Sequence, residues 1–203
     1  MAKLDPAVLR QSTIAVSFPG GGVLSRVLGF LIAVYQRNLA RNEDGKLLAK
    51  YRGASHVMWK RRGEGLNDWF SMEERGGVER PLKPKKGQRI VYLEIADEIR
   101  TLLTPEAWRG GEEEADWMIG QAYDVLELPQ FLLNRFAEVT GIRLRIDAEK
   151  GTVCSTAVAH IIERMTDAAQ APSVWGTLIL KDITPAHFCN RQETLKIIGD
   201  CTY

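Results

Sequence analysis

The chain has 203 residues, of which 45% are hydrophobic and 26% are charged, and its 27 Lys and Arg against 26 Asp and Glu give a formal net charge of +1. This composition is typical of a globular protein, and we predict a single domain over residues 1–203 with its core at about 14–188. Because a nearly neutral chain has no overall basic field, nucleic acid is not an expected partner.

Predicted strands dominate the first half of the chain. β-branched and aromatic residues predict strands at 14–18, 55–60, 68–72 and 89–95, with a turn at Gly76-Gly77 and a Pro- and Lys-rich connector at 81–86. The segment 23–39 has helical spacing, and 41–53 is expected to be a turn or a short irregular helix. The most apolar stretch, 23–35, contains Ser, Arg and Gly and is too short to cross a membrane.

Predicted helices dominate the second half, at 105–123, 128–140 and 154–169. Thr104 is the expected N-cap of the first, with Pro105 in its first position. A strand at 174–180 and a short helix opened by Thr184 and Pro185 follow. Since strands and helices do not alternate regularly, we predict an α+β fold with a mainly antiparallel sheet packed against helices.

The three cysteines, Cys154, Cys189 and Cys201, lie far apart, are odd in number and form no Cys-x-x-Cys pair. We therefore expect neither a disulfide framework nor a metal site, and no cofactor. The first residues lack the basic and apolar regions of a secretory signal. We expect a protein that is made and kept in the cytoplasm unless it leaves inside a larger particle.

Cys154 is the strongest candidate for chemistry, because it directly precedes apolar residues spaced as one face of a helix. A thiol in the first turn of a helix lies beside unpaired N–H groups at the positive end of the dipole, which favour thiolate and can bind an oxyanion. The alternative is a buried packing residue, which most cysteines are.

A thiol nucleophile needs a general base, and the chain offers three histidines. His160 lies six residues after Cys154, which on a continuous helix turns it about 240° away and excludes it as the base. His187 is predicted at a helix start beside Pro185. His56 lies in a predicted strand, and a ring on a rigid strand that faces a helix start is the better geometry.

The order of these residues resembles a known family. An early strand with Ser55-His56-Val57, a Tyr123-Asp124 pair after a helix and Cys154-Ser155 opening a helix are similar to the circularly permuted papain-like hydrolases. These relatives of NlpC-type cell-wall peptidases include the lecithin retinol acyltransferase-like proteins and many bacterial and phage proteins. The resemblance covers about 14–188.

The resemblance implies a permuted papain-like fold with Cys154 as nucleophile at a helix N-terminus and His56 as its base. The third polar residue of such enzymes comes from the next strand, which offers Asn67, Ser71 and Glu73. Ser71 is nearest to the expected position, although serine orients an imidazole only weakly. Tyr123 is the candidate oxyanion donor, and the alternative is a Tyr of the core.

The function that the resemblance implies is a thiol hydrolase that cleaves an amide bond, with peptidoglycan peptides as one substrate class, through an acyl-enzyme at Cys154. One alternative is a structural or adaptor component of a phage tail or similar particle, with other virion proteins as partners and a weakened or inactive site. Another is an acyltransferase or a thioesterase that acts on lipids. The expected partner of the enzyme is a peptide or cell-wall substrate.

Two further patterns are compatible with anion binding. The run Gly20-Gly21-Gly22 matches no phosphate-loop motif, so we expect a plain turn or part of a substrate rim. The basic groups at 60–62 and at Lys83, Lys85 and Lys86 have Trp59 and Trp69 nearby. Charge runs of this kind are most simply solvated turns.

Overall fold

In the part of the chain that the structure describes, six antiparallel strands form one sheet in the order β4-β3-β2-β1-β5-β6. The computed structural model describes residues 9–20, 49–62, 68–73, 76–121, 154–180 and 183–203. The strands are β1 (Ile14–Ser17), β2 (His56–Lys60), β3 (Trp69–Glu73), β4 (Gly76–Arg80), β5 (Arg89–Ile95) and β6 (Leu195–Thr202). The predicted α+β class with an antiparallel sheet is confirmed.

The described residues also form a short 3-10 helix at Ala49–Tyr51 and four α-helices. These are α1 (Asp97–Arg100), α2 (Pro105–Met118), α3 (Cys154–Ala168) and α4 (Pro185–Asn190). Thr104 caps α2 as predicted, because its hydroxyl accepts the N–H of Ala107 at 3.2 Å. The helix ends at Met118 rather than at 123. The helices predicted at 23–39 and 128–140 lie outside the described residues.

The sheet has two faces with different partners. Side chains alternate along a strand, so Val57 and Trp59 of β2 point to the face against which α3 packs. We call this the helix face of the sheet. Its side chains form the larger apolar cluster, together with Phe70 and Met72 and the buried apolar residues of α2 and α3. The opposite, open face carries a smaller cluster, whose buried members are Ala15, Met58, Trp69, Ile90, Tyr92 and Cys201.

The turn predicted at Gly76-Gly77 is wrong, because these two residues begin β4. Gly77 forms a bridge with Ile119, just after α2. A Cβ atom on Gly77 would lie 2.2 Å from the carbonyl oxygen of Met118, and Gly76 has a φ of +103°. The glycines therefore let the strand lie directly against the end of α2, which is a second common reason for glycine besides a turn.

The strand predicted at 174–180 is also wrong, because this segment is irregular and pairs with no strand. Trp175 is buried, and its indole N–H donates to the carbonyl of Ala159 in α3 at 3.2 Å. The backbone carbonyl of Trp175 accepts a hydrogen bond from the Arg191 side chain at 2.8 Å. The apolar residues here anchor a loop to α3. The sheet is instead completed by β6, beyond residue 188, which pairs with β5. None of the described helices is long and apolar enough to cross a membrane.

Candidate functional site

His56 is the first residue of β2, and its side chain borders a cleft on the open face of the sheet. It lies opposite Ser17 of β1, and Met58 shares its face. The cleft has a volume of about 780 Å³, and both His56 and Met58 line it. The side chain of His56 is partly buried, so its ring is fixed by the protein while it remains next to space that a ligand can occupy.

A chain of hydrogen bonds orients the ring of His56. Its Nε2 lies 2.8 Å from the hydroxyl of Ser71, and that hydroxyl donates to the carboxylate of Glu73 at 3.0 Å. Because Ser71 gives its one proton to Glu73, His56 must donate from Nε2. The other ring nitrogen, Nδ1, is then the acceptor that a general base requires.

The register of β2 and β3 explains why these three residues meet. Met58 pairs with Ser71, so Glu73 extends the same face toward the level of His56. The sequence offered Ser71 and Glu73 as alternatives for the third polar residue. In the structure they act together, since Ser71, which is fully buried, connects the ring to the carboxylate. Spacing of two along one strand is the signal that would have linked them.

Arg80 is the positively charged end of this series of bonded side chains. Its Nε makes an ion pair with Glu73, and its side chain also lines the cleft beside His56. Burial, and to a smaller extent the positive charge of Arg80, together lower the pKa of His56 from 6.5 to about 4. At neutral pH the imidazole is therefore uncharged and able to accept a proton.

Cys154 is buried on the other side of the sheet. It is the first described residue of α3, its side chain is 4% exposed, and it belongs to the large apolar cluster on the helix face. His56, Ser71 and Glu73 point to the open face. A meeting of the Cys154 thiol with the His56 ring therefore has to take place around the amino-terminal end of β2, where His56 is the first residue.

The other two histidines have different surroundings. α3 is continuous from Cys154 to Ala168, and His160 is exposed on it, as expected for a residue turned away from Cys154. His187 is buried in α4, where its Nδ1 accepts the N–H of Thr184 at 2.9 Å and lies 3.0 Å from the Thr184 hydroxyl. That ring closes the start of its own helix.

The remaining cysteines are also buried. Burial raises the pKa of Cys189 to about 12, so its thiol is protonated at neutral pH and is a poor nucleophile. Two candidates from the sequence, Tyr123 and Asn67, lie outside the described residues. No three His, Cys, Asp or Glu side chains among the described residues lie together as a metal site.

The basic runs of the sequence have separate environments. Lys60 is 4% exposed and lies over the ring of Trp69, and Arg61 is paired with Glu79, Glu112 and Asp116. The expectation of a solvated turn is therefore wrong for these two residues. The lysines of the 81–86 connector, in contrast, are exposed on the rim of the cleft. Gly20, which is partly exposed, lines the same cleft.

The cleft combines apolar walls with a basic rim. Its described lining residues are Ser17, Phe18, Pro19, Gly20, Ser55, His56, Met58, Arg80, Pro81, Leu82, Lys83, Lys85, Lys86 and Gln88. The sequence did not indicate that the connector and His56 border the same space, because they are separated by two strands. Comparisons with protein-family models, with curated proteins and with solved structures each find no match to this chain.

Proposed function

We propose that the protein is a thiol hydrolase that cleaves amide bonds, with a permuted papain-like fold and Cys154 in the first turn of α3. The observation that carries this proposal is the orientation of His56, a residue that lines the cleft: its Nε2 is bonded to Ser71, which is bonded in turn to Glu73, and this leaves Nδ1 as the acceptor. A neutral, oriented imidazole of this kind is what a thiol nucleophile requires as its base.

The proposed reaction has two steps. His56 takes the proton of the Cys154 thiol, the sulfur attacks the amide carbonyl, and His56 returns the proton to the leaving amine. Water then hydrolyses the thioester and releases the carboxylic acid and the thiol. N–H groups of the first turn of α3 would stabilise the oxyanion in both steps. Peptides, including those of peptidoglycan, are the proposed substrate class.

The reaction places one demand on the structure. The thiol is buried on the helix face and the ring belongs to the open face, so they meet only at the amino-terminal end of β2. His56 occupies the first position of that strand. The pairing of the two is therefore the part of the proposal that experiment should address first.

A thiol-reactive probe tests the nucleophile. We expect the wild type and Cys189→Ala to label at the same rate near neutral pH, since the pKa of Cys189 is raised to about 12. Cys154→Ala should not label, and His56→Ala should label more slowly because the thiol has lost its base. Cys201→Ala is the matched control for a buried thiol on the open face. Equal labelling after loss of Cys154 would overturn the proposal.

The burial of Cys154, at 4% exposure, favours a second candidate function. In this alternative the protein is an adaptor or structural component, for example of a phage tail or similar particle, that keeps the fold with an inactive site. The expected result is then a stoichiometric copy in a purified particle, with no hydrolysis of muropeptides. Hydrolysis that depends on Cys154 would reject it.

A further inference from the structure

Four cationic side chains surround the cleft beside His56. Arg80 ends β4, and Lys83, Lys85 and Lys86 follow on the connector to β5. The described lining of the cleft contains no Asp or Glu. Arg80 is paired with Glu73, whereas the three exposed lysines have no carboxylate among the described lining residues, and grouped cations of this kind concentrate anions from solution. This local charge stands out in a chain with a formal net charge of only +1.

The connector that carries the lysines is held in place. Gln88 accepts the N–H of Lys85 through its side chain at 2.9 Å and donates its own N–H to the Lys85 carbonyl at 2.9 Å. Gly87 donates to the carbonyl of Tyr203, and Tyr203 donates back to Gln88 at 3.0 Å. The backbone beneath the lysines is therefore attached to the end of the sheet, which reduces the ordering that a ligand must impose.

The same cleft has apolar walls, formed by Phe18, Met58 and Leu82 with two prolines. Its volume of about 780 Å³ lies within the range of roughly 300–1,000 Å³ for sites that bind small organic ligands or short peptide segments. A ligand that matches both features has separate anionic groups joined by an apolar or neutral chain.

The connector is poorly suited to a phosphate group. Phosphate sites usually rely on several backbone N–H groups that converge on the anion. Pro81 and Pro84 have no N–H, and those of Lys85, Gly87 and Gln88 are already bonded within the protein. The cationic groups of this rim are instead long side chains spread along the cleft, which suits carboxylates spaced along a chain.

We propose that the cleft binds an acidic peptide segment, with Arg80 and the lysines of the 81–86 connector holding its carboxylates and Phe18, Met58 and Leu82 contacting its apolar parts. Arg80 connects this rim to the polar residues beside His56, because it lines the cleft while its Nε is paired with Glu73. Identifying this peptide with the substrate rests on the proposed function. Binding of the peptide does not.

Binding is measured with Cys154→Ala protein, so that no turnover takes place. The probes are a fluorescein-labelled six-residue peptide with two glutamates and the same peptide with two glutamines. We expect the acidic peptide to bind at least about tenfold more tightly at low salt, which corresponds to about 1.4 kcal/mol, and the difference to shrink as salt is raised.

Variants assign the binding to the rim. Lys83→Gln, Lys85→Gln and Lys86→Gln combined should weaken binding of the acidic peptide about tenfold and leave binding of the glutamine peptide unchanged. Lys196→Gln, at an exposed lysine outside the cleft, is the matched control. All of these positions are exposed, so the variants are expected to fold.

Three results would overturn the proposal: equal binding of the two peptides, an equal loss with Lys196→Gln, or displacement by inorganic phosphate or a short single-stranded DNA at lower concentration than by glutarate. The last result would assign the rim to phosphate. If the acidic peptide binds as expected and wild-type protein does not hydrolyse it, the binding site stands and the peptide is not the substrate; the hydrolase function itself fails only if loss of Cys154 leaves thiol labelling unchanged.

Discussion

The two faces of the sheet differ in what covers them. The helix face is sealed by α2 and α3 over a large apolar cluster that includes Trp59 and Cys154. The open face has a small cluster, a chain of polar side chains from His56 to Arg80, and a cleft. Most of the buried apolar side chains therefore lie on one face, and the linked polar side chains next to the cleft lie on the other. The residues of β2 alternate between the two faces.

Because neighbouring residues of β2 lie on opposite faces, their substitution compares what each face contributes to the free energy of unfolding. Trp59 is fully buried on the helix face, whereas Met58 borders the cleft. We expect Trp59→Ala to lower the free energy of unfolding by about 4 kcal/mol and Met58→Ala by about 2 kcal/mol, because the open site can relax or take up water. Urea denaturation measures both.

Trp59→Phe is the control for the size of the cavity. The indole N–H of Trp59 is buried without a hydrogen-bond partner among the described residues. Removing this donor relieves a desolvation cost of about 1–3 kcal/mol, so the net loss should stay below about 1.5 kcal/mol. Equal losses for Trp59→Ala and Met58→Ala would contradict the difference between the faces.

The second prediction concerns the pH dependence of stability. The unfolded chain protonates His56 near pH 6.5, and the folded protein does so only near the lowered pKa of about 4. Between these values the unfolded state binds more protons, so stability falls as the pH is lowered through this window, by about 2–3 kcal/mol in total.

His56→Gln should remove this loss, because glutamine keeps a donor toward Ser71 but does not titrate there. His160→Gln, at the exposed histidine of α3, should leave the pH dependence unchanged. The measurement is urea denaturation at about pH 7 and about pH 4.5, which together span most of this window. An unchanged slope in His56→Gln would show that the folded ring titrates normally.

The third prediction tests the polar chain on the open face. Ser71→Ala removes the link between His56 and Glu73, so the ring loses its orientation, and kcat of the proposed hydrolysis should fall roughly tenfold, a part of the about 10²–10⁴-fold that a general base contributes. KM should change little. Ser55→Ala, at another serine of the cleft, is the matched control. An equal fall of kcat in both variants would contradict a specific role for the hydrogen bonds from His56 to Glu73.

The smallest expected effect is electrostatic. Arg80→Gln removes the positive charge that lowers the pKa of His56 and leaves Glu73 without its ion pair. The pKa of His56 should therefore rise by a fraction of a unit, which an NMR titration of the ring protons detects. Arg164→Gln, at an exposed arginine of α3, should have no effect. A fall in the pKa would contradict the assigned role of Arg80.

Much of the sheet could be predicted because its strands have strong local patterns. The segment 89–95, rich in β-branched residues, is β5 with the predicted bounds, and Thr104 with Pro105 marks the start of α2. The same rules failed at 174–180, where Val174 and Trp175 are apolar because they anchor a loop to α3. Burial and strand formation select similar residues, so local composition does not separate them.

The candidate site was less predictable for a different reason. His56 and Ser71 were both chosen from the sequence, but the contact between them depends on the register of β2 with β3. The sequence offers Glu73 only as an alternative to Ser71, and no local pattern marks Arg80. In the pairing of β3 with β4, Arg80 lies opposite Trp69 and not opposite Glu73, so its ion pair with Glu73 depends on the direction its long side chain takes.

The sequence by itself determined the α+β class and most of the strands, and it named Cys154 and His56 as candidates, because composition and periodicity act over a few neighbouring positions. Only the tertiary structure decided which face of the sheet each residue serves. Strand register shifted by one residue exchanges the two faces, and that register places His56 with Ser71 and Glu73 beside a basic cleft, while the packing of α3 on the opposite face places Cys154 in the large apolar cluster.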